Sequence, residues 1–213
     1  MHSFKTEQEA FWHGSFGNDY VDRNDSQHLL ATKTAKFAKI LSRCSLKNIA
    51  SAIEFGSNVG LNIFALKRLM SDCQMSAIEI NERAASILRE RYAASFGNDI
   101  KIYNKSILEW DVDFKRDLVL ISGVLIHINP ESLQEVYQRL YDASQKYIIV
   151  SEYYNPTPVE VLYRGNTGKL FKRDFAGEML DKFPDLKLVD YGFIYHRDNA
   201  FPVDDGTWFL LEK

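Results

Sequence analysis

Ala52-Ile53-Glu54-Phe55-Gly56-Ser57-Asn58-Val59-Gly60-Leu61-Asn62 reads as a short buried strand, a turn built on two glycines, and the start of a helix. Gly56 and Gly60 let the backbone approach a ligand where a Cβ would collide. Glu54, just before the first glycine, suits a ligand carrying hydroxyl or ammonium donors. The expectation is a nucleotide-like molecule bound at this junction. A dinucleotide fingerprint would need glycines in G-x-G-x-x-G order. Counting from Gly56, the second and third glycine positions hold Asn58 and Leu61, which removes that option.

The pattern around this stretch is that of an α/β domain. Upstream, Glu9 to Asn24 packs Phe11, Trp12, Phe16 and Tyr20 around Gly14 and Gly17, unlike a disordered tail. Asp25 or Ser26 can cap a helix to about Arg43. Strands are expected at 49–55, 75–80, 100–103, 117–122 and 147–151, with helices at 59–70, 81–93 and 129–144 between them. Asn81 is the expected cap of one helix, and Asn129-Pro130 opens another. The segment 117–122 is nearly continuous in apolar residues, as strands covered on both faces are. From Glu152 to Arg173 the pattern breaks into a long irregular connection, which in a compact domain is usually functional. A helix at 174–182 and an antiparallel strand pair, 186–195 and 207–211, close the chain.

With 213 residues, one domain is expected: 1–45 as an N-terminal lid and helix, 46–151 as a cofactor-binding half, and 152–213 as an acceptor-side loop, helix and closing strands. The net charge of −3 gives no general attraction to nucleic acid or an anionic membrane. No apolar run is long enough to span a bilayer, and the first residues lack the apolar core of a signal peptide, so the expected location is cytoplasmic. Cys44 and Cys73 lie far apart without metal-ligand spacing, so neither a metal nor a disulfide framework is expected.

The spacing Glu54-x-Gly56-x-x-x-Gly60 resembles the first motif of Rossmann-like, class I, S-adenosylmethionine-dependent methyltransferases. That resemblance implies a mostly parallel seven-stranded sheet with an antiparallel last strand and helices on both faces. It also implies cofactor contacts from Gly56, Ser57, Asn58 and Gly60 to the amino-acid end, and from Glu79 and Ile80 to the ribose. Ser106 and Ile107 would recognise adenine, and Ser122, Gly123 and Val124 would lie beside the methionine part. A carboxylate at position 79 can accept from both ribose hydroxyls. Alone, Glu79 reads as a solvated strand-end acid and Ser122-Gly123 as a turn; their joint occurrence at successive strand ends favours a ligand site.

Four further blocks are similar to the methylases found with bacterial pseudaminic acid biosynthesis. They are Phe11 to Asn24, Gly123 to Pro130, Tyr163 to Phe175 and Asp204 to Leu210. The resemblance implies a modified-sugar context without defining the methyl acceptor; a small sugar or nucleotide-sugar is the expected partner. Trp12 and Tyr20 could pack on the sulfonium and Arg23 could fork onto the cofactor carboxylate, or the same aromatics could only staple the N-terminal helices down. His127 is the first candidate general base, Asp204 or Asp205 the second. Arg164, Lys169, Lys172 and Arg173 could hold an anionic acceptor, with Tyr153 and Tyr163 as a stacking wall, or could be a solvated loop. Methylation of nucleic acid is a competing reading. The acidic charge and the Ser122-Gly123-Val124-Leu125 strand end, without an Asn/Asp-Pro-Pro-aromatic motif, argue against it. A non-catalytic cofactor-binding module in a glycosylation cluster is the other alternative.

Overall fold

The first strand, β1 (Ser51–Phe55), is buried from Ala52 to Phe55 and pairs in parallel with β2 (Gln74–Ile78). The strand β3 (Lys101–Tyr103) pairs in parallel with β2 on its other side. These are parallel strands linked by helices, α4 (Leu61–Leu69) after β1 and α5 (Glu82–Phe96) after β2. The structure, a computed structural model, describes residues 4–23 and 27–213; the side chains of Arg23 and Gln27 lie outside that description. The carboxylate fork expected of Arg23 and the caps expected of Asp25 and Ser26 therefore fall outside the described residues.

By compactness the chain divides into two units, Met1–Trp110 and Asp111–Lys213. The first also holds α1 (Glu7–His13), α2 (Ser15–Arg23) and α3 (Gln27–Leu41). Its core is set by β-branched and aromatic residues on both faces of β1 and β2. Ile53, Phe55 and Ile78 are fully buried, as are Ile63 and Leu66 of α4 and Leu88 and Tyr92 of α5. Each such side chain contributes roughly 1.5–3 kcal/mol relative to an exposed one. Asn81 caps α5 as expected, its side chain accepting from the Ala84 N–H. Strand β1 starts at Ser51, not at Ile49, because Leu46–Asn48 forms a 3-10 turn before it.

The second unit holds β4 (Arg116–Ser122), parallel to β5 (Ser144–Glu152). Two further strands follow, β8 (Lys187–Ile194) and β9 (Gly206–Glu212); β9 runs antiparallel to β5 and β8 antiparallel to β9. Helices α6 (Leu133–Ala143) and α7 (Phe175–Lys182) complete it. The seven strands β1–β5, β8 and β9 form a mostly parallel sheet with an antiparallel last strand, as expected. Asn129 caps a short 3-10 turn, Pro130–Ser132, and α6 begins only at Leu133.

The segment expected to be irregular contains a small hairpin. Its strands β6 (Val159–Glu160) and β7 (Phe171–Lys172) are antiparallel, and Tyr163 pairs with Asn166 at the tip. The two tip residues between them, Arg164 and Gly165, both have left-handed backbone, with φ of 50° and 82°. Such a turn matches the twist of a two-stranded ribbon.

Candidate functional site

In the first unit the turn after β1 is fixed by backbone bonds. The N–H groups of Gly56 and Ser57 both donate to the Ile78 carbonyl, at 2.9 and 3.0 Å. Gly56, Asn58 and Gly60 all have positive φ. At Gly60 a Cβ would also lie 2.2 Å from Leu88 Cδ1, so both conformation and space demand glycine there. Val59 packs with Val21 of α2 and Ala84 of α5, which brings the N-terminal helices onto the turn.

Glu79 sits one residue past the end of β2 and is buried. Its carboxylate accepts from the Asn58 N–H at 2.6 Å and the Asn81 N–H at 2.8 Å. Burial pushes the acid up, while the Asn81, Asn58 and Ile80 backbone N–H groups oppose the shift. The turn and the strand end are thus joined through one carboxylate. The Asn104 amide donates to the Glu79 and Ile80 carbonyls and fixes the chain here.

Glu54 is fully buried at the end of β1. Its Oε1 accepts from the Asn62 amide at 2.5 Å, and Asn62 in turn accepts from Lys33 Nζ at 2.8 Å. Burial pushes the Glu54 carboxyl up to about 7, against the opposing effects of Asn62, Lys33 and Lys36. Neither Lys33 nor the pairing role of Asn62 was visible in the sequence, because α3 lies far from β1 in the chain.

Ser106 and Ile107 are both buried after β3. The Ser106 hydroxyl donates to Glu9 Oε1 of α1 and accepts from the Leu108 N–H at 3.0 Å. Glu9 also closes a capping box with Thr6. The Thr6-x-x-Glu9 spacing signals that box, but not the second partner of Glu9. Trp12 and Tyr20 are half-buried and meet edge to face at 5.1 Å. The Asn81 amide donates to Trp12 O, His13 O and Asn18 Oδ1, holding α1 and α2 to the start of α5.

In the second unit Ser122, Gly123 and Val124 turn out of β4. Gly123 has a φ of 69° and lies open, with no atom within 4 Å of an added Cβ. The Val124 and Leu125 N–H groups both donate to Glu152 Oε1 at 3.0 Å, a buried acid that the sequence reading passed over. His127 follows in a 3-10 turn and is buried. Its Nδ1 lies 2.6 Å from the Lys169 carbonyl, so this nitrogen carries the proton and Nε2 the lone pair. Burial lowers the imidazole to about 4, keeping it neutral near pH 7.

Tyr163 packs on His127 with ring centroids 4.9 Å apart, so the hairpin tip and the strand-end histidine are brought together. Arg164 is exposed beside them. Lys169 contributes its carbonyl to His127. Arg173 is drawn away from the expected cation group: its Nε donates to Glu178 at 2.5 Å, and Glu178 also accepts from Tyr137. Tyr153 donates to Asp204 at 2.9 Å, and Lys172 lies over the Tyr153 ring. Asp205 is held by His196, whose backbone and ring nitrogens both lie 2.9 Å from it. Among the described residues there is no group of three or more His, Cys, Asp and Glu that could hold a metal ion.

No family model and no curated protein matches the sequence. Solved structures do match. The structure of 1,6-didemethyltoxoflavin-N1-methyltransferase from Burkholderia thailandensis, with bound 1,6-didemethyltoxoflavin and S-adenosylhomocysteine, is similar at a TM-score of 0.76 and 16% identity, over 100% of this chain and 92% of that one. Magnesium protoporphyrin IX methyltransferase from Synechocystis PCC 6803, with bound SAM, is similar at 0.70 and 12% over all of both chains. A SAM-dependent methyltransferase from Leishmania major is similar at 0.72 and 12%, over 97% of this chain and 82% of that one. The chain has the Rossmann-like fold shared by these class I methyltransferases.

Proposed function

We propose that this protein is an S-adenosylmethionine-dependent methyltransferase acting on oxygen or nitrogen of a small, anionic, sugar-derived acceptor. The observation that carries the cofactor reading is Glu79: a buried strand-end carboxylate bonded to the N–H of Asn58 in a turn of three left-handed residues. A carboxylate has about four acceptor directions, so it can keep its backbone donors and still receive ribose hydroxyls. The donor set fits the cofactor. Gly56, Ser57, Asn58 and Gly60 would hold the amino-acid end, Glu79 and Ile80 the ribose, and Ser106 and Ile107 the adenine. Ser122, Gly123 and Val124 would flank the methionine part, with Trp12 and Tyr20 covering from the N-terminal helices. Similar folds crystallised with SAM or S-adenosylhomocysteine support this reading.

When bound, the cofactor supplies the sulfonium methyl and the intrinsic reactivity. The chain's own task is alignment and exclusion of water. His127, neutral and with its lone pair on Nε2, would accept the acceptor's proton or its hydrogen bond. Arg164, at the exposed tip of the hairpin, would hold the acceptor's anionic group, with Tyr163, Lys169 and Tyr153 around it. The sugar-derived identity rests on the resemblance of the Tyr163–Phe175 block. Incubation of the protein with methyl-labelled cofactor and a small-metabolite extract tests the whole reading. Label is expected in an anionic small molecule retained on an anion exchanger; label only in nucleic acid or protein would overturn it.

A further inference from the structure

The chain Lys33–Asn62–Glu54 is a directed one. An asparagine amide has one accepting and one donating end. Lys33 Nζ donates to Oδ1 at 2.8 Å, and Nδ2 donates to Glu54 Oε1 at 2.5 Å, so only one amide orientation satisfies both neighbours. The second oxygen, Glu54 Oε2, is buried and has no hydrogen-bond partner among the described residues. A buried carboxylate oxygen left this way is costly unless some further group favours it. Glu54 is the penultimate residue of β1, with Phe55 between it and the glycine turn.

We propose that Lys33 and Asn62 are positioning residues for the cofactor: they hold Glu54 next to the glycine turn so that its charge favours the α-ammonium of the amino-acid end, a group the adenosine end lacks. This rests on the cofactor reading above. The charged groups that act on Glu54 are the cations Lys33 and Lys36 and the anion Glu79. An ammonium brought near Glu54 favours the ionised acid. Binding of the amino-acid end then releases a proton below about pH 7, and affinity rises as pH climbs through that range. Replacing Lys33 by a neutral residue removes one cation that favours ionisation, so the same rise moves to higher pH.

The test is calorimetric titration of the full chain between pH 5.5 and 8.5 with two probes. S-adenosylhomocysteine carries the amino-acid end, and 5′-methylthioadenosine lacks it. Lys33→Met is expected to lose roughly tenfold in affinity for S-adenosylhomocysteine at pH 7 and to shift its pH profile upward. Lys33→Arg should stay near the parent, and methylthioadenosine affinity should change less than about twofold in each. Equal losses for both probes, or a Lys33→Met pH profile that superimposes on the parent's after scaling, would mark a merely structural role and overturn the proposal. Should Lys33→Met fail to fold, proton release by the parent decides: release with S-adenosylhomocysteine but not methylthioadenosine supports it, and equal release overturns it. A parent protein that binds neither probe overturns the cofactor reading itself.

Discussion

Three buried side chains, Glu79, Glu54 and His127, carry the predictions at the scale of single residues. Glu79 is held by backbone donors; on the proposed reading, its replacement by alanine removes the acceptor for both ribose hydroxyls. Glu79→Ala should weaken cofactor binding by about 10- to 100-fold, since bonds to charged groups contribute ~1.5–3 kcal/mol each. Titration with S-adenosylhomocysteine checks this, and unchanged affinity would remove the ribose assignment. Glu54 gives the fold a pH dependence. Its carboxyl is raised from 4.5 to about 7 in the folded protein. The folded state therefore holds the proton more tightly; the stabilisation is full below pH 4.5 and is lost as pH rises through 7. The difference is roughly 3 kcal/mol. Urea midpoints at pH 5 and pH 8 should differ in that direction for the parent, and Glu54→Gln should flatten the slope. For His127, an imidazole lowered to about 4 is neutral across the working range. With the cofactor saturating, the kcat profile should show no His127 inflection near pH 6.5. His127→Ala should lower kcat by about 100-fold with cofactor affinity intact; an inflection near 6.5 that this variant abolishes would contradict the assignment.

At the scale of elements, the turn between β1 and α4 is constrained by its left-handed residues, and the β6–β7 hairpin is the proposed acceptor element. Gly60→Ala combines a left-handed backbone with a Cβ against buried Leu88. The combined cost is about 2–4 kcal/mol, from backbone conformation and overpacking together, measurable as a lower urea midpoint. Arg164→Ala removes an exposed hairpin-tip cation, so acceptor KM should rise while cofactor affinity stays within about twofold; equal loss of both would refute the separation. The helices and long strands were legible because their apolar spacing is sustained, and Asn81 announced its own cap. The hairpin was not: its strands are two residues each, and its tip is Arg164-Gly165, not a familiar Asn-Gly pair. Helix α6 started late because Asn129-Pro130 opens a 3-10 turn first.

For the molecule as a whole, the sequence carried the sheet order of events but not the contacts between distant segments. Gly56, Gly60 and Glu79 were readable as a strand-end set because strand ends follow from periodicity. Lys33, Glu9 and Glu152 were not, since their partners Asn62, Ser106 and the Val124–Leu125 backbone come from elements remote in sequence. Arg173 looked like part of a cation cluster until Glu178 took it. The proposed function requires this Rossmann-like fold to bind S-adenosylmethionine through the β1 turn and Glu79. Calorimetric titration of the folded protein with S-adenosylhomocysteine tests it most directly. One saturable site with Kd of about 1–100 μM is expected, weakened by Glu79→Ala; no binding heat at millimolar ligand, with the protein folded, would refute it.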